Sequence, residues 1–358
     1  MKKLLSVLLC YIMIISLSAP TYAVENTSTS EIDISESLLD DISNAINSIA
    51  PQKELFGFDN SSINNIYVGK AITTYEYVNG TLKKMDLCLY PLLANGKLCA
   101  FAIKEYDNNI NISTGLIKEI SQLSCLPDSL IYDSQSIYYS VDNNIMFLTQ
   151  ASLSPIATRE TLTETSIKQL NLSNSVNKEK NVLTPLGYIN SGVTPRSSYA
   201  AIAISSKIQT GDLTCWAACV ACIGQKLTGI NRTDEDVVIY KFGYWTDTAI
   251  PDAAALNTLA NMYGVYYNEH AYKPSETQIL TALNNGAPVF SRWTPDGNWF
   301  SNGHDMVICA INTSTNYLTV MDPEDGVFHT ATLNGTQSSY SSLYRGKTYQ
   351  MVSYGVRR

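Results

Sequence analysis

Four side chains carry the chemistry this sequence can do: Gln209, Cys215, His304 and Asp322. Thr214 is an N-cap type of residue, which sets Cys215 in the first turn of a helix. Backbone N–H groups there point outward, and together with the helix dipole they favour thiolate over thiol. A thiolate nucleophile needs a proton donor and acceptor close by. His304 opens the apolar run Met306-Val307-Ile308-Cys309-Ala310-Ile311, the pattern of a buried central strand, and so belongs at a strand rim. Gly303 before it gives the backbone room. A turn over 312–316 leads back into a second strand, 317–321, that Pro323 closes. A hairpin centred on residue 313 puts Asp322 nearly opposite His304 on one sheet face, about 5 Å away. A carboxylate there fixes the imidazole tautomer and stabilises the imidazolium. Asp305 points to the other face and Asp325 lies past the strand end, so both are expected as solvated acids. Gln209 precedes a turning Thr210-Gly211-Asp212 loop that would bring its amide back over Cys215. With the Cys215 N–H it would offer two donors to the oxyanion of acyl transfer.

The elements that must position these groups are α+β in order. Helices are expected over 215–227, 234–240, 252–263 (with Pro251 just ahead) and 275–285, where Ser275 and Gln278 have capping-box spacing. Strands follow at 288–293, 304–311, 317–321 and 349–356. Upstream the pattern differs. Apolar residues at helical spacing occupy 32–46, and strand-like segments cover 66–68, 71–77, 87–93, 98–106, 136–141 and 145–149. Turn signals stand at 79–80, 95–96 and 142–144, and 116–123 reads as a short helix. This gives a small β-rich domain over 24–170, an Asn/Ser-rich linker over 171–199 with a basic site at Arg196, and a second domain over 200–358.

Gln209, five intervening residues, Cys215-Trp216-Ala217-Ala218, then Gly303-His304, then a strand ending Met321-Asp322-Pro323 together resemble a papain-like cysteine protease. The flavour is bacterial: staphopain-like exported proteases, bacteriocin leader-processing peptidases and plant-pathogen effector proteases. The resemblance covers 200–358. It implies an α+β catalytic domain of helices packed on an antiparallel sheet. It also implies Cys215 as nucleophile, His304 as general base and acid, Asp322 as orienting residue and Gln209 as oxyanion donor, with no metal or organic cofactor. The chain departs from papain itself, which has Cys-Gly-Ser-Cys-Trp at its nucleophile, an Asn beside its His and a Trp after that Asn. Here the third residue is Asp and no Trp follows it, so Trp293 or Trp299 would have to shield the histidine contact. The loop 293–300 could form one wall of a peptide cleft. Two other readings stay open: a cell-wall amidase or acyl transferase using the same Cys–His chemistry, and a non-catalytic exported binding protein.

Composition narrows the class. The chain has 358 residues, enough for two domains, with 45% hydrophobic and 16% charged residues, so most of it should fold. A net charge of −8 without a basic stripe argues against nucleic-acid binding. Three histidines, His270, His304 and His329, form no metal-ligand motif. Lys2 and Lys3, the apolar run 4–17 and small residues up to Ala23 have the layout of a secretory signal peptide, 1–23, which predicts a secreted protein with no membrane attachment once cut. Seven cysteines follow that segment, an odd number that leaves at least one thiol outside any internal disulfide. Acidity is concentrated before residue 196; from 196 to 358, 11 Lys and Arg nearly balance 13 Asp and Glu. An acidic segment ahead of a near-neutral catalytic domain suits a zymogen whose N-terminal domain inhibits within the chain. The expected substrate is a protein or peptide.

Overall fold

Three two-residue turns set the N-terminal topology. Asn79 and Gly80, Asn95 and Gly96, and Asp142 and Asn143 all have positive φ, between 50° and 73°. That is the primed turn geometry whose twist matches antiparallel strands. The computed structural model describes residues 34–105, 109–150, 160–163, 166, 183–186, 198–299, 301–334 and 337–358. The expected signal segment, Arg196 and most of the expected linker lie outside the described residues.

Helix α1 (Glu36–Ile49), capped by the Ser35 hydroxyl, leads into a 3-10 turn, Ala50–Phe56. Strands β1 (Ile66–Val68), β2 (Ile72–Val78), β3 (Thr81–Ala94), β4 (Lys97–Lys104) and β5 (Ile110–Ser113) come next. After the single turn α2 (Ile117–Ile120) come β6 (Ser129–Tyr132), β7 (Ser136–Val141), β8 (Asn144–Gln150) and β9 (Thr184–Pro185). Their order is β8-β7-β6-β2-β3-β4-β5, with β6 parallel to β2 and the rest antiparallel. Strand β1 pairs with the end of β3, and β9 adds to β1, so part of the segment expected as linker belongs to this sheet.

The C-terminal domain begins with β10 (Tyr199–Ala201), then α3 (Cys215–Thr228), α4 (Asp234–Phe242) and α5 (Asp252–Tyr263). Strand β11 (Tyr267–His270) and helix α6 (Glu276–Asn284) precede β12 (Val289–Thr294), β13 (His304–Asn312), β14 (Tyr317–Asp322), β15 (Val327–Asn334), β16 (Gln337–Ser342) and β17 (Lys347–Arg357). The last six strands pair antiparallel in chain order, and β17 returns to β12 to close a barrel. The α+β order holds. The α6 capping box is present, with Ser275 and Gln278 bonding each other's backbone.

Helix α3 is small and apolar, and every residue from Cys215 to Gly224 is buried. It packs on α4, α5 and β13. Gly224 allows this closeness, because a Cβ there would stand 2.5 Å from the Tyr263 ring. The strands not foreseen are β5, β6, β9, β10, β11, β15 and β16. In β15 and β16 most buried positions are polar, including His329, Thr330, Ser338, Ser339 and Ser341, so no clean apolar alternation marks them. The two domains share a sheet edge at the pair His329↔Ser113.

Candidate active site

Cys215 is the first residue of α3, as expected, but Thr214 does not cap the helix with its side chain. Its hydroxyl donates instead to Asp234 Oδ2 at 3.0 Å, and the same carboxylate accepts from Thr210 N–H and Thr210 Oγ1 at 2.7 and 2.9 Å. Asp247 holds the other side of the loop by accepting from Leu213 N–H at 2.8 Å. A Cβ on Gly211 would meet Asp247 Oδ1 at 2.5 Å, so this position requires glycine. Two carboxylates that sequence reasoning did not single out therefore set the approach to Cys215. The signal available was only their type, since neither has a fixed spacing to the cysteine. The helix start keeps its N–H groups free of a side-chain cap, which suits an anion there.

His304 opens β13 and is 7% exposed. Its Nε2 lies 2.6 Å from Asp322 Oδ1. The pairing differs from the expected register. Val307 faces Met321, and continuing that register sets Asp322 opposite Met306. His304 is thus a diagonal neighbour on the same face, and imidazole and carboxylate bridge the offset with their own length. The turn is centred between Ser314 and Thr315, later than the 313 expected, and an irregularity between Ile308 and Ala310 takes one residue of that offset back, which returns Asp322 to the face of His304. Asp322 Oδ1 also accepts from Glu324 N–H at 2.8 Å, and Oδ2 accepts from the Tyr340 hydroxyl.

These contacts decide the charges. Burial of Asp322 opposes ionisation and alone would be expensive, several kcal/mol for an unpaired ion. The charge and hydrogen bond of His304, then the charge of His329 and the Tyr340 hydroxyl, outweigh it and hold Asp322 well below the usual carboxylate value. Burial likewise opposes a charged His304. The charge and hydrogen bond of Asp322, followed by the hydrogen bond and charge of Cys215, raise it well above an ordinary histidine. Cys215 is thus near enough to His304 to favour its charged form. Cys219 and Cys222, deeper in α3, are fully buried, and burial pushes the Cys222 thiol up to about 12. All seven described cysteines are free thiols.

Gln209 lies against Pro323, the residue after Asp322. Its N–H donates to Pro323 O at 2.7 Å, which ties the loop to the end of β14. Its Nε2 makes only a long 3.4 Å bond to Asp212 O, and its buried Oε1 has no partner. Ile208 and Leu213 on this loop are exposed apolar side chains.

The two rival acids are not solvated. Asp305 is 4% exposed, and its Oδ2 is 4.0 Å from Cys215 Sγ. Burial, and then the charge of Asp252, raise its pKa against the opposing pull of Arg292. Asp325 is buried against His329, 3.0 Å from Nε2. Both readings failed because barrel closure and the neighbouring domain cover positions that a lone hairpin leaves wet. Trp293 is also core, fully buried with its Nε1 donating to Ser291 Oγ, and does not line a cleft wall. The aromatic ring beside His304 is that of Tyr349, with centroids 6.2 Å apart. Gly303 does give room, but to the Arg292 side chain, whose Nε would meet a Cβ at 2.6 Å.

Two sets of donor atoms of the kind that hold metals meet at Asp322: one with His304 and Glu324, the other with Asp325 and His329. Both Asp322 oxygens already accept bonds from protein donors, which suits an anchor for His304 more than a metal ligand. Among the described residues no helix is long and apolar enough to cross a membrane.

No curated protein matches the chain. Residues 197–341, less than half of it, match the family model described as papain-like cysteine protease AvrRpt2. That span includes Gln209, Cys215, His304 and Asp322, and the region it covers is a papain-like cysteine peptidase, a hydrolase acting on protein or peptide substrates.

Proposed function

We propose that the chain is a secreted endopeptidase in which Cys215, His304 and Asp322 form the catalytic triad and Gln209 completes the oxyanion hole. The observation that carries this reading is a histidine whose Nε2 lies 2.6 Å from a buried carboxylate and whose charged form is favoured by the Cys215 thiol at a helix start. The Cys215 thiolate attacks the scissile carbonyl carbon and forms a C–S bond. The Cys215 N–H and the Gln209 amide receive the oxyanion. The C–N bond then breaks, and the His304 imidazolium gives its proton to the leaving amine. Water, deprotonated by the now neutral His304, attacks the thioester and releases the acid and the free thiol. Asp322 keeps the imidazole in one tautomer and one orientation throughout. No organic cofactor or metal enters these steps. The basic tip and apolar run of 1–23 support export and removal of that segment.

The acidic N-terminal domain and the 171–199 segment support synthesis as a precursor. The contacts of that domain run along β14, β15 and β16, which favours a docked role over one that covers Cys215.

Peptide hydrolysis by the full chain is the test. Activity should fall by about 10⁴-fold or more in Cys215→Ala, the scale of a lost nucleophile. Hydrolysis persisting in that variant refutes the assignment.

A further inference from the structure

A second Asp–His pair lies between the two domains. His329 Nε2 is 3.0 Å from Asp325 Oδ2, and Nδ1 is 2.8 Å from Ser113 Oγ of β5. Gly115 N–H donates to the same Oγ at 3.0 Å. A Cβ on Gly115 would stand 3.0 Å from Asp325 Oδ2 and 3.3 Å from His329 Cε1, so the N-terminal domain packs directly onto this pair. Ser113 and His329 are each 1% exposed. The set has the composition of a serine hydrolase triad, yet it is buried too deeply to meet a peptide.

Its other face explains it better. The His329 ring stands edge-on to Tyr340, with centroids 5.4 Å apart. The Tyr340 hydroxyl donates to Asp322, the carboxylate that holds His304. An unbroken line of contacts therefore runs from Ser113 through His329, Tyr340 and Asp322 to His304. The surrounding interface is built like a core. Ile112 N–H donates to Thr330 Oγ1 at 2.6 Å, the Thr114 hydroxyl to Phe328 O at 3.0 Å, and the Tyr317 hydroxyl to Ile110 O at 2.5 Å. Glu105 is buried and accepts from the Ser339 and Ser341 hydroxyls of β16 and from Asn111. Leu343 is buried in the N-terminal cluster that contains Leu89 and Phe101. Removing the N-terminal domain would expose this apolar surface and strip partners from buried polar groups, each worth about 1–3 kcal/mol.

We propose that the N-terminal domain is a retained positioning partner of the peptidase site: Ser113 fixes His329, and with it the Tyr340 hydroxyl that sets Asp322 against His304. This rests on the reading of Cys215 and His304 as the catalytic pair. A buried carboxylate keeps its charge only while its donors hold their geometry. Ser113 sits two contacts behind one of those donors, so it acts on turnover more than on peptide binding.

The test uses the full chain with Ser113→Ala, Ser113→Thr, Tyr340→Phe and the double variant Ser113→Ala/Tyr340→Phe. Two rates are read. One is peptide turnover, normalised to sites titrated with a thiol-directed epoxide. The other is alkylation of Cys215 by iodoacetamide, which needs no substrate turnover. Ser113→Ala should lower kcat and the alkylation rate by about three- to tenfold with KM unchanged, the scale of one weakened charged hydrogen bond. Ser113→Thr, which keeps the hydroxyl, should restore both. The double variant should be no worse than Tyr340→Phe alone, because both changes act on one chain of contacts. Unchanged rates in Ser113→Ala, or additive losses in the double variant, overturn the proposal. If the unaltered chain hydrolyses no peptide but Ser113→Ala still slows alkylation, the peptidase reading falls and the positioning role stands. Cutting the full chain at an inserted site between residues 187 and 197 gives a further outcome. The two pieces should elute together and remain active, and a C-terminal piece that separates with full activity also overturns the proposal.

Discussion

Two buried Asp–His pairs stand near one another in this molecule, and they differ in what faces them. His304 and Asp322 are 2.6 Å apart, and the thiol of Cys215 favours the charged form of His304. His329 and Asp325 are 3.0 Å apart and meet the hydroxyl of Ser113. Asp322 is surrounded by donors and stays far below the usual carboxylate value despite its burial. For Asp325 burial, aided by the charge of Asp322, wins over His329 and raises the value. Cys215 opens a helix, where N–H groups favour an anion, whereas Ser113 ends an edge strand locked under another domain. Spacing between a carboxylate and an imidazole therefore does not make a hydrolytic site. The backbone setting of the facing thiol or hydroxyl is what separates the two pairs.

The comparison can be broken most forcefully at the carboxylates. Asp322→Ala should cut kcat/KM by about 10³–10⁴, as loss of an orienting acid does in triads. Asp325→Ala should cost tenfold or less, on the order of one indirect charged contact; equal losses would erase the distinction. Gln209→Ala should lower kcat by about 10²–10³ if its amide serves the oxyanion, and an unchanged kcat removes it from the mechanism. The pH profile sharpens the same contrast. His304 must be protonated to expel the amine, and its raised pKa keeps it so past the ordinary histidine range. Activity should hold below that value and fall as pH rises through it. Asp322→Asn removes the negative charge, so the alkaline limb of kcat/KM should move to lower pH. A limb that stays in place would show that another group sets it. A modest effect is expected from Tyr340→Phe, about tenfold in kcat and no smaller than that of Ser113→Ala, since one of three bonds to Asp322 is lost.

Much of the nucleophile side is legible in sequence because its signals are local. Pro251 leads α5, Ser275 and Gln278 cap α6, and the apolar run after His304 marks β13. The pairing of Asp322 with His304 is legible as to face but not register, since the turn centres later than residue 313 and an irregularity in β13 takes back only part of that offset. What lies behind the site is not legible. Tyr340, His329 and Ser113 come together only when the barrel closes and β5 meets β15, and no spacing announces contacts more than 200 residues apart in sequence, as between Ser113 and His329. Asp305 and Asp325 are misjudged for the same reason: their burial comes from other segments, not from their own strand. Polar β16 is hidden because its serines are buried to satisfy Glu105 and Glu324 from elsewhere in the chain.

The central claim is that one thiol among the seven of the described residues, at the start of α3, is the nucleophile. Peptide mapping by mass spectrometry after treating the folded full chain with a thiol-directed peptidyl epoxide tests it most directly. The account predicts one adduct, on Cys215, that forms in step with loss of peptide hydrolysis and leaves Cys219, Cys222, Cys309 and Ser113 unmodified. Hydrolysis lost with the adduct on another residue, or retained with Cys215 fully modified, would contradict it.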